Sequence, residues 1–123
     1  MQLTARDRQF VWHPFTQQKH MADPVPIVKG SNTLLIDESG NSYIDAISSW
    51  WVTLHGHANA YIAEKIYQQA LQIEQVIFAG FTHRPAIDLA QRLLDILPAG
   101  FSKVFYSDNG STSTEVALKM AIQ

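Results

Sequence analysis

The stretch from Lys103 to Met120, Lys-Val-Phe-Tyr-Ser-Asp-Asn-Gly-Ser-Thr-Ser-Thr-Glu-Val-Ala-Leu-Lys-Met, constrains the fold of this chain more than any other. Val104, Phe105 and Tyr106 favour a strand, Asp108-Asn109-Gly110 is turn chemistry, and an apolar helical pattern follows. Thr112 with Glu115 three residues on reads as a capping box that opens this helix. A strand that turns through one glycine into a helix start is the unit from which α/β sheets are built. The first-turn N–H groups lack partners inside the helix and stand at the positive end of its dipole, so an anion there gains hydrogen bonds and field together. Gly110 allows close approach to the backbone, and Ser111 and Thr112 add hydroxyl donors. Every α/β protein has several such turns and few hold a phosphate, so a phosphate site and a purely structural turn both remain open.

The helix is still in full period at Ile122 and Gln123, without the Gly, Asn or Pro that ends most helices, and only one core strand precedes it. The expectation is therefore the N-terminal piece of a longer chain. Of the 123 residues 46% are apolar and 16% charged, a globular composition. Net charge near −2 with scattered Lys and Arg offers no footprint for a nucleic acid. The absence of cysteine excludes disulfides and thiolate metal sites and fits a reducing cytoplasm. No apolar run has the length to span a bilayer, and the first nine residues are too polar for a signal peptide.

Residues 1–23 show no sustained period yet contain Phe10, Trp12, His13, Pro14 and Phe15. They read as an ordered arm laid across another surface, or as plain core packing. Three strands are expected at Val25 to Lys29, Thr33 to Asp37 and Ser42 to Ala46, the last two joined as a hairpin through Glu38-Ser39-Gly40-Asn41. Ile62, Ile66, Ala70 and Ile73 give an apolar stripe to a helix from about Asn59 to Gln75. A second helix, about Pro85 to Leu97, is apolar over so broad a face that it should be wedged between layers. The arm and small sheet are assigned to 1–58, and the helices with the first strand and helix of a larger α/β domain to 59–123.

His55-Gly56-His57 lacks the helical i, i+4 geometry of a metal pair, so Gly56 is assigned a turn and its two neighbours hydrogen-bonding roles. His83 reads as a helix start or an interface residue. Asp37, Glu38, Asp45, Asp88 and Asp95 read as solvated charge. Trp50 and Trp51, in a segment expected to be extended, should point to opposite sides, one to packing and one to a cleft or partner.

Asp37-Glu-Ser-Gly-Asn-Ser-Tyr43-Ile-Asp45, His55-Gly-His57 and Asp108-Asn-Gly110-Ser111-Thr-Ser-Thr-Glu115 together resemble the class III aminotransferases. The resemblance implies a fold-type I architecture, a small antiparallel meander plus the start of a large mixed-sheet α/β domain, and pyridoxal 5′-phosphate as cofactor. Trp12-His-Pro-Phe-Thr16, Ser48-Ser-Trp50-Trp51 and Phe78-Ala-Gly-Phe-Thr82-His83 are similar to the branch that aminates 8-amino-7-oxononanoate in biotin synthesis. By that likeness Gly110, Ser111 and Thr112 hold the cofactor phosphate, Trp50 packs on the keto substrate with Trp51 turned toward packing, and Phe15 contributes a ring. Phe15 stands where a bacterial branch has tyrosine, keeping the ring face and losing the hydroxyl. The amino donor is left between S-adenosylmethionine and lysine. The likeness further implies a homodimer and puts the lysine that carries the cofactor beyond Gln123; none of Lys19, Lys29, Lys65, Lys103 or Lys119 has a setting resembling that lysine's, and none is assigned. A different class of reading, a non-catalytic phosphate-ligand or interaction module, keeps the glycine turn structural and the aromatics an interface.

Overall fold

The computed structural model describes residues 2–123, which divide into two compact units, 2–72 and 73–123. The first unit is built on a three-stranded antiparallel meander in the order β1 (Ile27–Ser31), β2 (Leu34–Asp37), β3 (Ser42–Ile44). All three expected strands form. The first begins two residues later than read, because Ile27 pairs with Asp37 and Lys29 with Ile36, leaving Val28 as a bulge. Asn32, with φ 51°, turns β1 into β2.

The β2–β3 turn is organised by one carboxylate. Asp37 Oδ1 accepts the N–H groups of Ser39 (2.9 Å) and Asn41 (2.8 Å), and Oδ2 accepts Asn41 Nδ2 (2.9 Å) and the Tyr43 hydroxyl (2.8 Å). Asp37 is thus not a solvated turn charge: at 6% exposure it is the buried residue among those described. Its four donors satisfy what burial strips of water, as a buried charge requires.

The aperiodic start is ordered and opens with a helix that its sequence does not announce. Leu3–Phe10 is a helix, α1, whose sequence has no apolar stripe and buries nothing, so periodicity had no face to detect. After it the chain folds back on itself: His13 Nε2 meets Asp7 Oδ2 at 2.9 Å, Arg8 pairs with Asp23, and Thr16 Oγ1 donates to the His13 carbonyl at 2.7 Å. Helix α3 (Ala60–Ala70) closes the unit and starts where expected, because Asn59 Oδ1 accepts the Ile62 N–H at 3.2 Å.

Between β3 and α3 the structure departs from the extended segment expected at the tryptophans. Ser48–Trp51 forms a single turn, α2, in which Ser48, Ser49, Trp50 and Trp51 have φ of 48°, 47°, 62° and 67°. This is left-handed helix, so period-two alternation does not apply to Trp50 and Trp51.

In the second unit α4 (Arg84–Ile96) begins after His83 at the N-cap, with Pro85 in its first turn. It is not wedged between layers: none of its residues is buried, since no layer of the unit covers its apolar face. Residues 103–106 are not a strand either. A strand is defined by a paired neighbour, and this segment has none among the described residues. It is held instead through Tyr106, whose hydroxyl donates to the Ala86 carbonyl and whose ring meets Phe78 at 6.1 Å. Helix α5 (Gly110–Ile122) follows.

Candidate functional site

The N-terminus of α5 is capped three residues earlier than read. Asn109 is the N-cap: its Oδ1 accepts the Thr112 N–H at 3.0 Å, and Thr112 Oγ1 accepts the Asn109 N–H at 3.2 Å. Asn109-x-x-Thr112 competes with Thr112-x-x-Glu115 for the same role, and asparagine as the stronger N-cap takes it. Glu115 instead pairs with Lys119 at 2.8 Å. Gly110 and Ser111 then occupy the first two helical positions, where geometry leaves their N–H groups without an intrahelical acceptor. The N–H of Thr112 and its hydroxyl are committed to the cap, with Ser107 Oγ donating to Thr112 Oγ1. Thr112 therefore fixes the start of α5 through Asn109, with Gly110 and Ser111 between the two capping residues.

Gly110 has an ordinary φ, and a Cβ built on it would meet nothing within 4 Å. The fold itself makes no demand for glycine here. A bare backbone at the positive end of a helix is what a phosphate needs for close approach, so the residues present fit such a group.

The first unit carries the aromatic wall. Phe15 (φ 57°, 91% exposed) and Trp50 (58% exposed) bring their ring centroids to 5.7 Å at an interplanar angle of 56°. A cleft of about 730 Å³ beside them is lined by His13, Phe15, Thr16, Gln17, His20 and Trp50. That volume suits a small-molecule site of mixed apolar and polar lining. Trp51, 76% exposed, is not among its lining residues.

A left-handed turn of non-glycine residues costs about 1–2 kcal/mol per residue and persists only where its surroundings over-determine it. Here the surroundings are specific. Trp51 N–H bonds to the Ile47 carbonyl (2.8 Å) and Val52 N–H to that of Ser48 (2.9 Å). Asp45 Oδ1 accepts the Ser49 N–H (3.0 Å), and Oδ2 accepts both Ser49 Oγ (2.7 Å) and His57 Nε2 (2.7 Å). A carboxylate only accepts, so His57 carries its proton on Nε2. The Ser49 N–H foremost, then the Ser49 hydroxyl and His57, hold the Asp45 carboxyl down at about 2 against partial opposition from burial.

His57 has the hydrogen-bonding role expected of it, and Gly56 (φ 78°) the expected turn. Gly56 brings the His57 backbone against Asn32 in an isolated bridge, Asn32 N–H to His57 carbonyl 3.1 Å and His57 N–H to Asn32 carbonyl 2.7 Å. A Cβ on Gly30 would stand 2.6 Å from His57 Cβ, so glycine there is a packing necessity. Asp45, its side chain 6% exposed, is thus not the solvated charge expected of it. The available signal was an aspartate four residues before a serine at a strand end, a side chain placed to bond a following turn.

A capped helix start that opens on glycine in the second unit, and a small antiparallel meander with an exposed aromatic pair in the first, are the features the comparisons bear on. The family model for aminotransferase class III matches residues 15–123, and the chain belongs to that family. The adenosylmethionine-8-amino-7-oxononanoate aminotransferase of Synechococcus elongatus is 55% identical over 113 residues, covering 92% of this chain and 27% of its own length. The crystal structure of the enzyme of that name from Methanocaldococcus jannaschii superposes with a TM-score of 0.91 at 41% identity, over 98% of this chain and 28% of that one. The omega transaminase from Pseudomonas jessenii, solved in complex with PMP, gives 0.90 at 29% identity over 98% of this chain and 27% of that one. The chain thus spans about a quarter of the length of the relatives it matches.

Proposed function

We propose that this chain supplies the phosphate cradle and one wall of the substrate cleft to a pyridoxal 5′-phosphate-dependent aminotransferase. The reaction moves an amino group from S-adenosylmethionine to 8-amino-7-oxononanoate and yields 7,8-diaminononanoate for biotin. The observation that carries the reading is 55% identity to a relative of that name and, at nearly equal TM-scores, 41% identity to the solved enzyme of that name against 29% to an omega transaminase. The fold alone does not choose between these substrates. The aromatic wall of Phe15 and Trp50 supports the first.

The cofactor, when bound, supplies the electron sink for amino transfer. The chain's own residues bind and orient. Gly110 and Ser111 receive the phosphate at the start of α5, and Thr112 keeps that start in register through Asn109. Trp50 and Phe15 give the carbon chain of the keto substrate an apolar face, while Trp51, 76% exposed, packs against nothing in this unit that would bury it. In this reading residues 1–58 are the arm and small-sheet segment, 59–123 open the cofactor-binding domain, and the enzyme is a cytoplasmic homodimer without nucleic-acid or membrane partners. No helix among the described residues is long and apolar enough to cross a membrane.

The test uses the complete enzyme, incubated with 8-amino-7-oxononanoate and either S-adenosylmethionine or lysine, and reads diaminononanoate by mass spectrometry. Product with S-adenosylmethionine supports the reading, and product with lysine alone keeps the acceptor and overturns the donor. Turnover of ω-amino acids without diaminononanoate overturns the substrate. Failure to hold a chromophore near the visible edge that borohydride bleaches would instead favour the non-catalytic module.

A further inference from the structure

We infer that Asp45 and His57 act together as a positioning device for Trp50, setting through Ser49 the orientation of the substrate wall. The inference rests on the reading of Trp50 as substrate-facing. Both ends of the device are anchored in the meander. Asp45 follows β3 directly, and its N–H bonds to the Thr33 carbonyl at 2.8 Å. His57 is pinned by its two backbone bonds to Asn32 and by the fit of its side chain against Gly30. The two side chains meet at 2.7 Å, with only 6% of the Asp45 side chain and 16% of the His57 side chain exposed.

What they hold is the residue immediately before Trp50. Ser49 gives Asp45 its N–H and its hydroxyl at once, a pair of contacts that fixes the Ser48–Ser49 peptide plane and the left-handed φ of Ser49, from which Trp50 continues the same turn. A chain of L-residues relaxes out of that region when its restraints go. Loss of the carboxylate therefore rotates the Trp50 backbone and carries the indole away from Phe15 and from the cleft they share. Neither Asp45 nor His57 lines that cleft, so their influence on substrate runs through Trp50.

The test is a cycle of variants in the complete holoenzyme: Asp45→Asn, Trp50→Ala and the two combined, with KM for 8-amino-7-oxononanoate and kcat measured for each. Asp45→Asn is expected to raise KM about threefold to tenfold, the scale of a lost aromatic contact, with a smaller change in kcat. In the Trp50→Ala background the same change should leave KM where it was. Ser49→Ala, which removes one hydroxyl, gives a milder shift in the same direction and serves if Asp45→Asn does not fold. Equal KM shifts in both backgrounds overturn the inference. If Trp50→Ala raises KM while Asp45→Asn and Ser49→Ala do not, the inference falls and the substrate wall stands. If Trp50→Ala itself leaves KM unchanged, the wall fails first and the inference with it.

Discussion

The ring of Phe15 lies 5.7 Å from that of Trp50, so a turn in the N-terminal arm and a left-handed turn after the meander present one aromatic surface. Each residue has positive φ, and each is held by bonds made by its neighbours. Two unfavourable backbone conformations maintained for one ring pair point to function more than to packing.

The wall predicts a ranking. Trp50→Ala should raise KM for the keto substrate most, Phe15→Ala by roughly two- to tenfold, the worth of an aromatic pair, and Trp51→Ala least. Steady-state kinetics of the complete enzyme checks the order. A larger effect from Trp51 than from Trp50 would assign the two indoles the other way round.

Gly110 predicts a loss of cofactor without a loss of fold. Space around its Cβ position is open and its φ is ordinary, so Gly110→Val is accommodated by the chain. A phosphate seated on the Gly110 and Ser111 N–H groups would be displaced, weakening cofactor affinity on the order of tenfold or more. Cofactor titration of the apo-enzyme, with circular dichroism as the folding control, decides it. Unchanged affinity in a folded variant would defeat the assignment.

Why some of this was legible and some was not follows from the range of the forces. The Asp37–Asn41 turn and the Asn59 cap depend on bonds within a few residues, and the helix start after His83 on the proline at its first turn, so residue type alone announces them. The handedness of Ser48–Trp51 does not. Serine and tryptophan prefer negative φ, and the opposite sign is imposed by Asp45, itself braced by His57 twelve residues along the chain. Likewise Val104 to Tyr106 have strand propensity, but a strand needs a neighbour that no local pattern supplies. The α5 cap was half legible, since two overlapping motifs fit and only the side-chain geometry chooses Asn109 over Thr112.

The hairpin carboxylates predict an acid-sensitive meander. Asp37 is lowered chiefly by the Asn41 side chain, then by the Tyr43 hydroxyl and the backbone, against burial; Asp45 is lowered to about 2. A depressed carboxylate stabilises the fold fully above its unfolded value of 3.8, and that contribution is lost as pH falls through the folded one. For Asp45 the window runs from 3.8 down to about 2. Tyr43, raised first by its bond to Asp37, behaves in the opposite sense: its contribution is present below pH 10.0 and is lost as pH rises through the elevated value. Asp45→Asn should flatten the acid limb of a thermal-stability profile, and Tyr43→Phe should lower the melting temperature at neutral pH while removing part of the alkaline limb. An unaltered acid limb in Asp45→Asn would show that the carboxylate is not what acid titrates there.

The final prediction concerns association. Phe10, Trp12 and Phe15 in the arm, and Phe78 and Phe81 in the link before α4, are more than half exposed, although Phe78 already stacks edge-on against His83 at 5.4 Å. Aromatic surface of this density is suited to a close and mostly dry contact. The complete enzyme should therefore be an obligate homodimer in which the arm, or the Phe78 to His83 link, meets the second subunit. An obligate interface resembles a domain core cut in half and buries roughly 2,000 Å² or more. Sedimentation at low micromolar concentration should give a dimer, and Trp12→Glu with Phe81→Glu should shift it toward monomer with loss of activity. A fully active monomer would refute the association, and a dimer indifferent to both charges would move its interface elsewhere on the chain.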